Sequence, residues 1–171
     1  MLMYHPAQDI NHCVFRTLLL LEHTVHEYID LDLYRLLDFY IVFPHMLKHI
    51  SPLPTELRIY KRLLTKIPDP FESMRNTKRI LYELESLQTV ALHSLIAKQL
   101  IDIDSYKAKR VRRTSAPIPE ELNAAIQSSE QAQNEWFRMV VNELPIINFG
   151  GKNGLKKRTG LMEFRYDMDT Q

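Results

Sequence analysis

The chain of 171 residues has only four glycines, and Gly150, Gly151, Gly154 and Gly160 all fall in its last 22 positions. Loops that cradle phosphate need glycine so that backbone amides can approach the oxygens, in G-x-x-x-x-G-K-[ST] and in G-x-G-x-x-G alike. The only glycine-bearing stretch reads GGKNGLKKRTG and fits neither pattern. A nucleotide-powered enzyme of P-loop or Rossmann type is therefore not expected, and ATP chemistry would have to come from a partner. Cysteine is nearly as scarce. Cys13 is the single thiol, which excludes an internal disulfide and a cysteine-based zinc cluster. Long apolar runs are missing as well: the densest, Leu31 to Leu47, is interrupted by Asp32, Arg35, Asp38, Pro44 and His45. The N-terminus, MLMYHPAQD, has neither the basic nor the apolar region of a signal peptide. A cytoplasmic protein without membrane contact is expected, and 45% hydrophobic residues are enough for a sizeable core.

Net charge is also small, at +1, but it conceals a segregation. KAKRVRR over residues 107–113 carries five positive charges, KNGLKKR over residues 152–158 carries four, and neither segment contains an acid. Without those nine, 13 basic residues face 21 acidic ones. An acidic body with two short basic patches points to contact with an anion at defined places.

The periodicity is mainly helical. Ile10, Val14, Phe15, Leu18 and Leu21 recur at helical spacing behind Asp9 or Asn11 as cap. Leu33, Leu36, Leu37, Tyr40 and Ile41 form a second helix that Pro44 ends or kinks. A short turn over residues 45–50 follows. SPLPTE then supplies a loop and a Thr55 cap before a third helix carrying Leu57, Tyr60, Leu63, Leu64 and Ile67. Ile80, Leu81, Leu84, Leu87, Ala91 and Leu95 suit one long helix, or two broken near residues 85–88. Leu100, Ile101, Ile103 and Val111 flank a polar turn and read as two short strands. A helix running into a basic hairpin is the element order of a winged helix, and ALHSLIAKQLIDID…KRVRRT looks like its recognition helix and wing, with Gln99 where glycine is usual. Pro117 to Pro119 form a stiff hinge. Beyond it, Leu122, Ile126, Ala132, Trp136, Val140 and Leu144 carry one long helix to Pro145, with Trp136 and Phe137 as anchors for docking a partner. Leu161 to Tyr166 alternates as a strand. The expected architecture is mainly α with a small β component: a winged-helix-like domain over residues 1–116, its basic wing at about 100–114, then residues 117–171 with a helix, a glycine-rich basic loop and a C-terminal hairpin or strand.

The chemistry-bearing residues are few. Glu22, His23, His26 and Glu27 bunch together and His45 and His49 lie one helical turn apart, but HExxH is absent and neither group has a third ligand at a diagnostic spacing, so no metal is expected. Cys13 sits among leucines and reads as a buried, inert thiol. Asp102 and Asp104 read as solvated residues at the mouth of the wing, and no serine has a nucleophile-elbow context. The basic segments are the candidates. On a wing, alternate side chains project to opposite faces, setting Lys107, Lys109 and Arg113 toward DNA phosphates, with Arg110 and Arg112 opposite or curling round. Lys152, Lys156, Lys157 and Arg158 form the second patch.

The segments NHCVFRTLLLLE and YRLLDFYIVFPHML are more specific than their composition. Through Phe15, Arg16, Leu18 to Leu21, Arg35, Leu37, Asp38, Phe39, Tyr40, Phe43 and Pro44, with ALHSLIAKQLID consistent, roughly the first 105 residues resemble the small middle component of bacterial ABC-three-component systems. That group includes the accessory subunit of Lamassu-type anti-phage and anti-plasmid defence. The resemblance implies a non-catalytic subunit, with no cofactor, working beside an SMC-like, Rad50-like ATPase and a nuclease effector. With the basic patches it gives the expectation of a protein bridging the ATPase to double-stranded DNA. Arg16, Arg35 and Asp38 read as helix-surface ion pairs. A free-standing winged-helix transcription regulator is the alternative, and it would form a stable homodimer without a partner.

Overall fold

The computed structural model describes residues 8–163. Helix α1 (Ile10–His23) begins where the Asp9 carboxylate accepts from the amides of Asn11 and His12 at 2.7 and 3.2 Å, donors that have no partner inside the helix. Strand β1 (Ile29–Asp30) leads into α2 (Leu31–Val42), in which ten of twelve residues are buried. A helix enclosed on every face marks the centre of a fold, and the other elements pack around it. Phe43 and Pro44 stop it as the sequence predicts, and a 3-10 turn (Pro44–His49) follows. The third helix is split into a 3-10 turn (Thr55–Tyr60) and α3 (Lys61–Lys66). Helix α4 (Thr77–Ala97) runs 21 residues without a break and buries Leu81, Leu84, Gln88, Ala91, Leu92 and Leu95 against α1 and α2.

The β component is small. Strand β2 (Arg110–Val111) pairs antiparallel with β1, Ile29 opposite Val111 and Asp30 opposite Arg110. Two residues further on, Arg113 bridges Ile101, with the Asp102 amide donating to the Arg112 carbonyl at 3.0 Å and the Thr114 amide to the Leu100 carbonyl at 3.1 Å. Among the described residues the two arms thus meet at a single bridge instead of as the two paired strands expected, and β2 takes β1 as its strand partner. The expected polar turn between them is instead a short helix, α5 (Ile103–Lys107). Asp102 is the reason, because its carboxylate accepts from the Ser105 amide and hydroxyl at 2.8 and 2.6 Å and caps that turn, bonds that hold its own pKa below the ordinary value.

The C-terminal third differs most from expectation. The long helix is broken into α6 (Glu120–Gln127), α7 (Glu130–Gln133) and α8 (Glu135–Arg138), then a π-helical turn (Met139–Glu143) and a 3-10 turn (Leu144–Ile146). Ser129 and Asn134 stand at the breaks. The Ser129 hydroxyl accepts from the Ala132 amide, and the Asn134 side chain donates to the Glu130 carbonyl, so these short polar side chains compete for the backbone bonds a continuous helix would use. Helix α9 (Leu155–Thr159) ends at Gly160, whose φ of +62° is the left-handed cap. The alternation expected from Leu161 is not realised: residues 161–163 form a 3-10 turn with the consecutive Leu161 and Met162 both buried, which a strand facing water on one side would not allow. Phe164, Arg165 and Tyr166 lie outside the described residues. Ile126, Phe137, Val140 and Leu155 join the core of Leu37 and Tyr40, so one core runs through the hinge at residues 117–119.

Gln99 takes the conformation that glycine usually supplies. Its φ is +60°, and the Leu100 amide reaches back to the Leu95 carbonyl at 2.9 Å. Replacing Gln99 by glycine is expected to raise stability by about 0.5–1 kcal/mol, less than the left-handed penalty because glycine is freer when unfolded. The measurement is a higher urea midpoint at unchanged slope; a lower midpoint contradicts it.

Candidate functional site

The basic run from Lys107 to Arg113 lies on the loop that α5 and β2 build, and most of its charge is answered within the chain. Lys107 has Asp104 at 3.9 Å. The Arg110 guanidinium has Asp30 at 3.9 Å and lies 4.3 Å over the Tyr28 ring. Arg112 pairs with Glu27 at 2.8 Å and Arg113 with Glu22 at 2.5 Å. Arg113 also donates to the carbonyls of Leu100, Thr114 and Ala116 at 2.9 to 3.0 Å, so it is a clasp between α1 and the loop rather than a side chain turned to a ligand. Only Lys109 of the five has no acid within ion-pair distance among the described residues. Its φ of +60° turns the chain after α5, and its carbonyl accepts from the Leu31 amide at 2.8 Å.

The second basic segment is pinned. Leu155 is fully buried, Arg158 donates to the carbonyls of Asn153 and Pro52, and its own carbonyl accepts from the Ser51 amide at 3.1 Å. A Cβ at Gly154 would run into the Gly150 carbonyl, which explains that glycine. Lys152 and Lys157 are exposed, again without an acid among the described residues, and Lys156 is half-buried. Of the expected docking pair, Trp136 is half-buried, but Phe137 is fully buried with the His23 ring edge-on at 5.8 Å, so Phe137 is part of the core. On the four-residue helix α8 neighbouring side chains point about 100° apart, and the two aromatics divide between surface and interior.

Beside the first basic segment lies a cleft of about 620 Å³, formed by the start of α2, Glu85 on α4, the turn at Lys109 and Arg110, and half-buried Phe149. Phe149 opens the glycine loop, and its carbonyl accepts from the Lys156 amide at 3.0 Å. The volume lies within the range of small-ligand sites. Behind the cleft is a buried polar network. Arg16, Arg35 and Asp38, expected on helix surfaces, are only 7%, 6% and 0% exposed. Arg16 forks onto both Asp38 oxygens at 2.8 and 3.2 Å. Gln88 donates to Asp38 at 2.9 Å and to the Arg35 carbonyl at 3.1 Å. Arg35 donates to the Glu85 carbonyl at 3.0 Å and the Thr89 hydroxyl at 3.1 Å, while its Nε has no hydrogen-bond partner and stands 3.8 Å from a Glu85 carboxylate oxygen. Gln88 went unnoticed in the sequence, yet it occupies an apolar register position between Leu84 and Ala91, and a polar residue there is the signal.

Burial acts to lower the Arg16 pKa, and the facing Asp38 carboxylate more than reverses it, holding the guanidinium charged. Burial first, and Asp38 second, push the Cys13 thiol up to about 12, which leaves it unreactive as the sequence predicts. The histidine cluster disperses: His23 meets the Leu19 carbonyl, His26 the Asn142 carbonyl, and Glu22 and Glu27 face arginines. Among the described residues no three His, Cys, Asp or Glu side chains converge as metal ligands, and no helix is long and apolar enough to cross a membrane.

Asp38→Ala strands Arg16 in the core and is expected to cost about 3–5 kcal/mol, whereas Arg16→Met with Asp38→Leu removes both charges and should cost far less. Chemical denaturation of the two variants beside the native chain checks this. A second prediction concerns alkaline pH. Burial raises the folded pKa values of Cys13, Tyr34 and Tyr40, so each group loses its proton first in the unfolded chain. Stability is then full below the unfolded values and falls from about pH 9 toward pH 12, by about 1.4 kcal/mol per pH unit for each group titrating only when unfolded. Urea midpoints at about pH 8 and about pH 10 read the fall.

A family model described as ABC-three component (ABC-3C) system Middle Component 5 matches residues 2–167. No curated protein and no solved structure matches the chain. The match takes in the C-terminal third, where the sequence offered no recognised motif. The chain therefore belongs to the Middle Component 5 family of ABC-three component systems, defence systems whose subunits work together.

Proposed function

We propose that the chain is a non-catalytic, cytoplasmic accessory subunit that works beside an SMC-like, Rad50-like ATPase and a nuclease effector in Lamassu-type anti-phage and anti-plasmid defence. In this reading the body built on α1, α2 and α4 is a winged-helix scaffold that docks on the ATPase and offers a few cations to duplex DNA. Two observations support the scaffold. The strand between the first two helices pairs with the far arm of the basic loop, and the near arm bridges that same far arm at Ile101 and Arg113. Family membership supplies the expectation of partner subunits.

The observation that carries the DNA contact is the distribution of unanswered charge. Lys109, Lys152 and Lys157 are exposed and face no acid among the described residues; Lys109 lines the cleft, Lys152 lies in the glycine-rich segment and Lys157 stands on α9. Arg112 and Arg113 are spoken for by Glu27 and Glu22. Phosphate contacts therefore fall to the lysines.

The test uses the chain assembled with its ATPase. Changing Lys109, Lys152 and Lys157 together to Glu is expected to flatten the log–log salt dependence of duplex binding by about 2–3 units, near 0.9 for each phosphate no longer neutralised. An unchanged slope overturns the DNA role. Arg113→Glu is expected to act differently, lowering the chain's own stability, because it breaks the clasp to Glu22 and three carbonyls.

A further inference from the structure

The cleft carries an inference that does not depend on duplex contact. We propose that it binds one nucleotide unit, a nucleoside phosphate either free or at the end of a strand, with the base against Phe149 and the phosphate on Lys109 and Arg110.

Three features of the cleft converge on that chemistry. Phe149 offers a half-buried aromatic wall, and an aromatic face stacks on any base. Lys109 and Arg110 line the same opening, and Lys109 brings an ammonium that no acid answers among the described residues. Its backbone is already committed, because its carbonyl is bonded to Leu31, so the side chain is what remains for a ligand. The third feature lies deeper. Arg35 is 6% exposed, lines the cleft, and its Nε makes no hydrogen bond, the nearest acid being the Glu85 carboxylate at 3.8 Å. A buried donor without a hydrogen bond is costly, and an acceptor entering the cleft would relieve that cost.

The acids refine the class. Asp30, Asp32 and Glu85 line the cleft alongside three cations, so its formal charge balances. That balance disfavours a bare polyanion. It suits a ligand with a phosphate at one end and donors at the other, since carboxylates accept from sugar hydroxyls and base amines. Arg110 is held by Asp30 at 3.9 Å and by the Tyr28 ring at 4.3 Å, so an incoming phosphate would compete with Asp30 for it while Lys109 meets the phosphate unopposed. The cleft has no glycine-rich phosphate loop, and the inference is one of binding without turnover.

Calorimetric titration of the full chain with AMP, with inorganic phosphate and with a 5′-phosphorylated oligothymidylate tests it. AMP is expected to bind once per chain, with inorganic phosphate at least about tenfold weaker, the worth of one stacked base. Lys109→Gly and Phe149→Ala should each raise the AMP Kd about tenfold. Lys109→Gly is the sharper variant, because a φ of +60° favours glycine and the backbone survives the loss of the ammonium. Circular dichroism and the melting curve verify that both variants remain folded. Tighter binding of the oligonucleotide than of AMP identifies a strand end, and equal or weaker binding identifies a free nucleotide. No binding of AMP or the oligonucleotide at millimolar concentration overturns the proposal. So does inorganic phosphate matching AMP, or folded variants binding as the native chain does. AMP binding that survives Lys152→Glu with Lys157→Glu, alongside an unchanged duplex slope, would separate the cleft from the duplex contact and leave only the latter refuted.

Discussion

The ion pair between Arg16 and Asp38 is the interaction on which the rest of the structure depends. Two charges removed from water are tolerated only when geometry and additional hydrogen bonds compensate. Here the guanidinium forks onto both carboxylate oxygens, and Gln88 donates to one of them. Those three residues come from α1, α2 and α4, so a single satisfied cluster holds three helices in one register. Leucines could pack such helices in several registers at similar energy; a buried carboxylate with two specific donors cannot be satisfied in more than one. The network also sets the site, because Arg35 lies one turn from Asp38 on α2 and is held by the same Gln88 and by the α4 backbone. The inner wall of the cleft is therefore continuous with the core.

The basic loop illustrates how charge along the chain differs from charge at the surface. Five cations in seven residues read as a strong positive patch. Folding brings Glu22, Glu27 and Asp30, from the end of α1 and the segment after it, against three of them, and Asp104 near a fourth. Apart from the largely buried pair of Arg113 with Glu22, these are exposed pairs that contribute little to stability, about 0–1 kcal/mol each, but they do cancel the field a distant anion would feel. What remains is Lys109 at the cleft, with Lys152 and Lys157 on the separate glycine-rich segment and α9. The overall acidity of the chain, which first made the patch conspicuous, is also the source of its neutralisation.

Much of the fold was legible because its signals are local. Asp9 before α1, Pro44 after α2 and the apolar register of α4 each act within one or two turns, and each is realised. Gln99 shows that an ill-suited residue does not veto a cap when the surrounding bonds over-determine it. The failures share a cause. The helix expected from Pro119 to Pro145 carries a plausible apolar period, but Ser129 and Asn134 redirect its backbone bonds. Met162 and Glu163 begin an alternation of apolar and charged residues, yet the consecutive Leu161 and Met162 turn inward together, since Gly160 reverses the chain and α4 packs against that turn.

The sequence by itself determined that the chain is mainly helical, that its one thiol is buried, and that its first hundred residues carry the marks of a middle component. These rest on hydrophobic period, capping residues and short motifs, all read within a few positions. Only the tertiary structure decided which charges are buried, which cations are already paired, and that Phe149 and Lys109 share a cleft. Arg16 finds Asp38 across 22 residues, Gln88 finds Asp38 across 50, and Arg113 finds Glu22 across 91. A charged residue looks the same in sequence whether water or a carboxylate awaits it. The difference lies in long-range packing, which brings the partner within bonding distance and excludes the solvent.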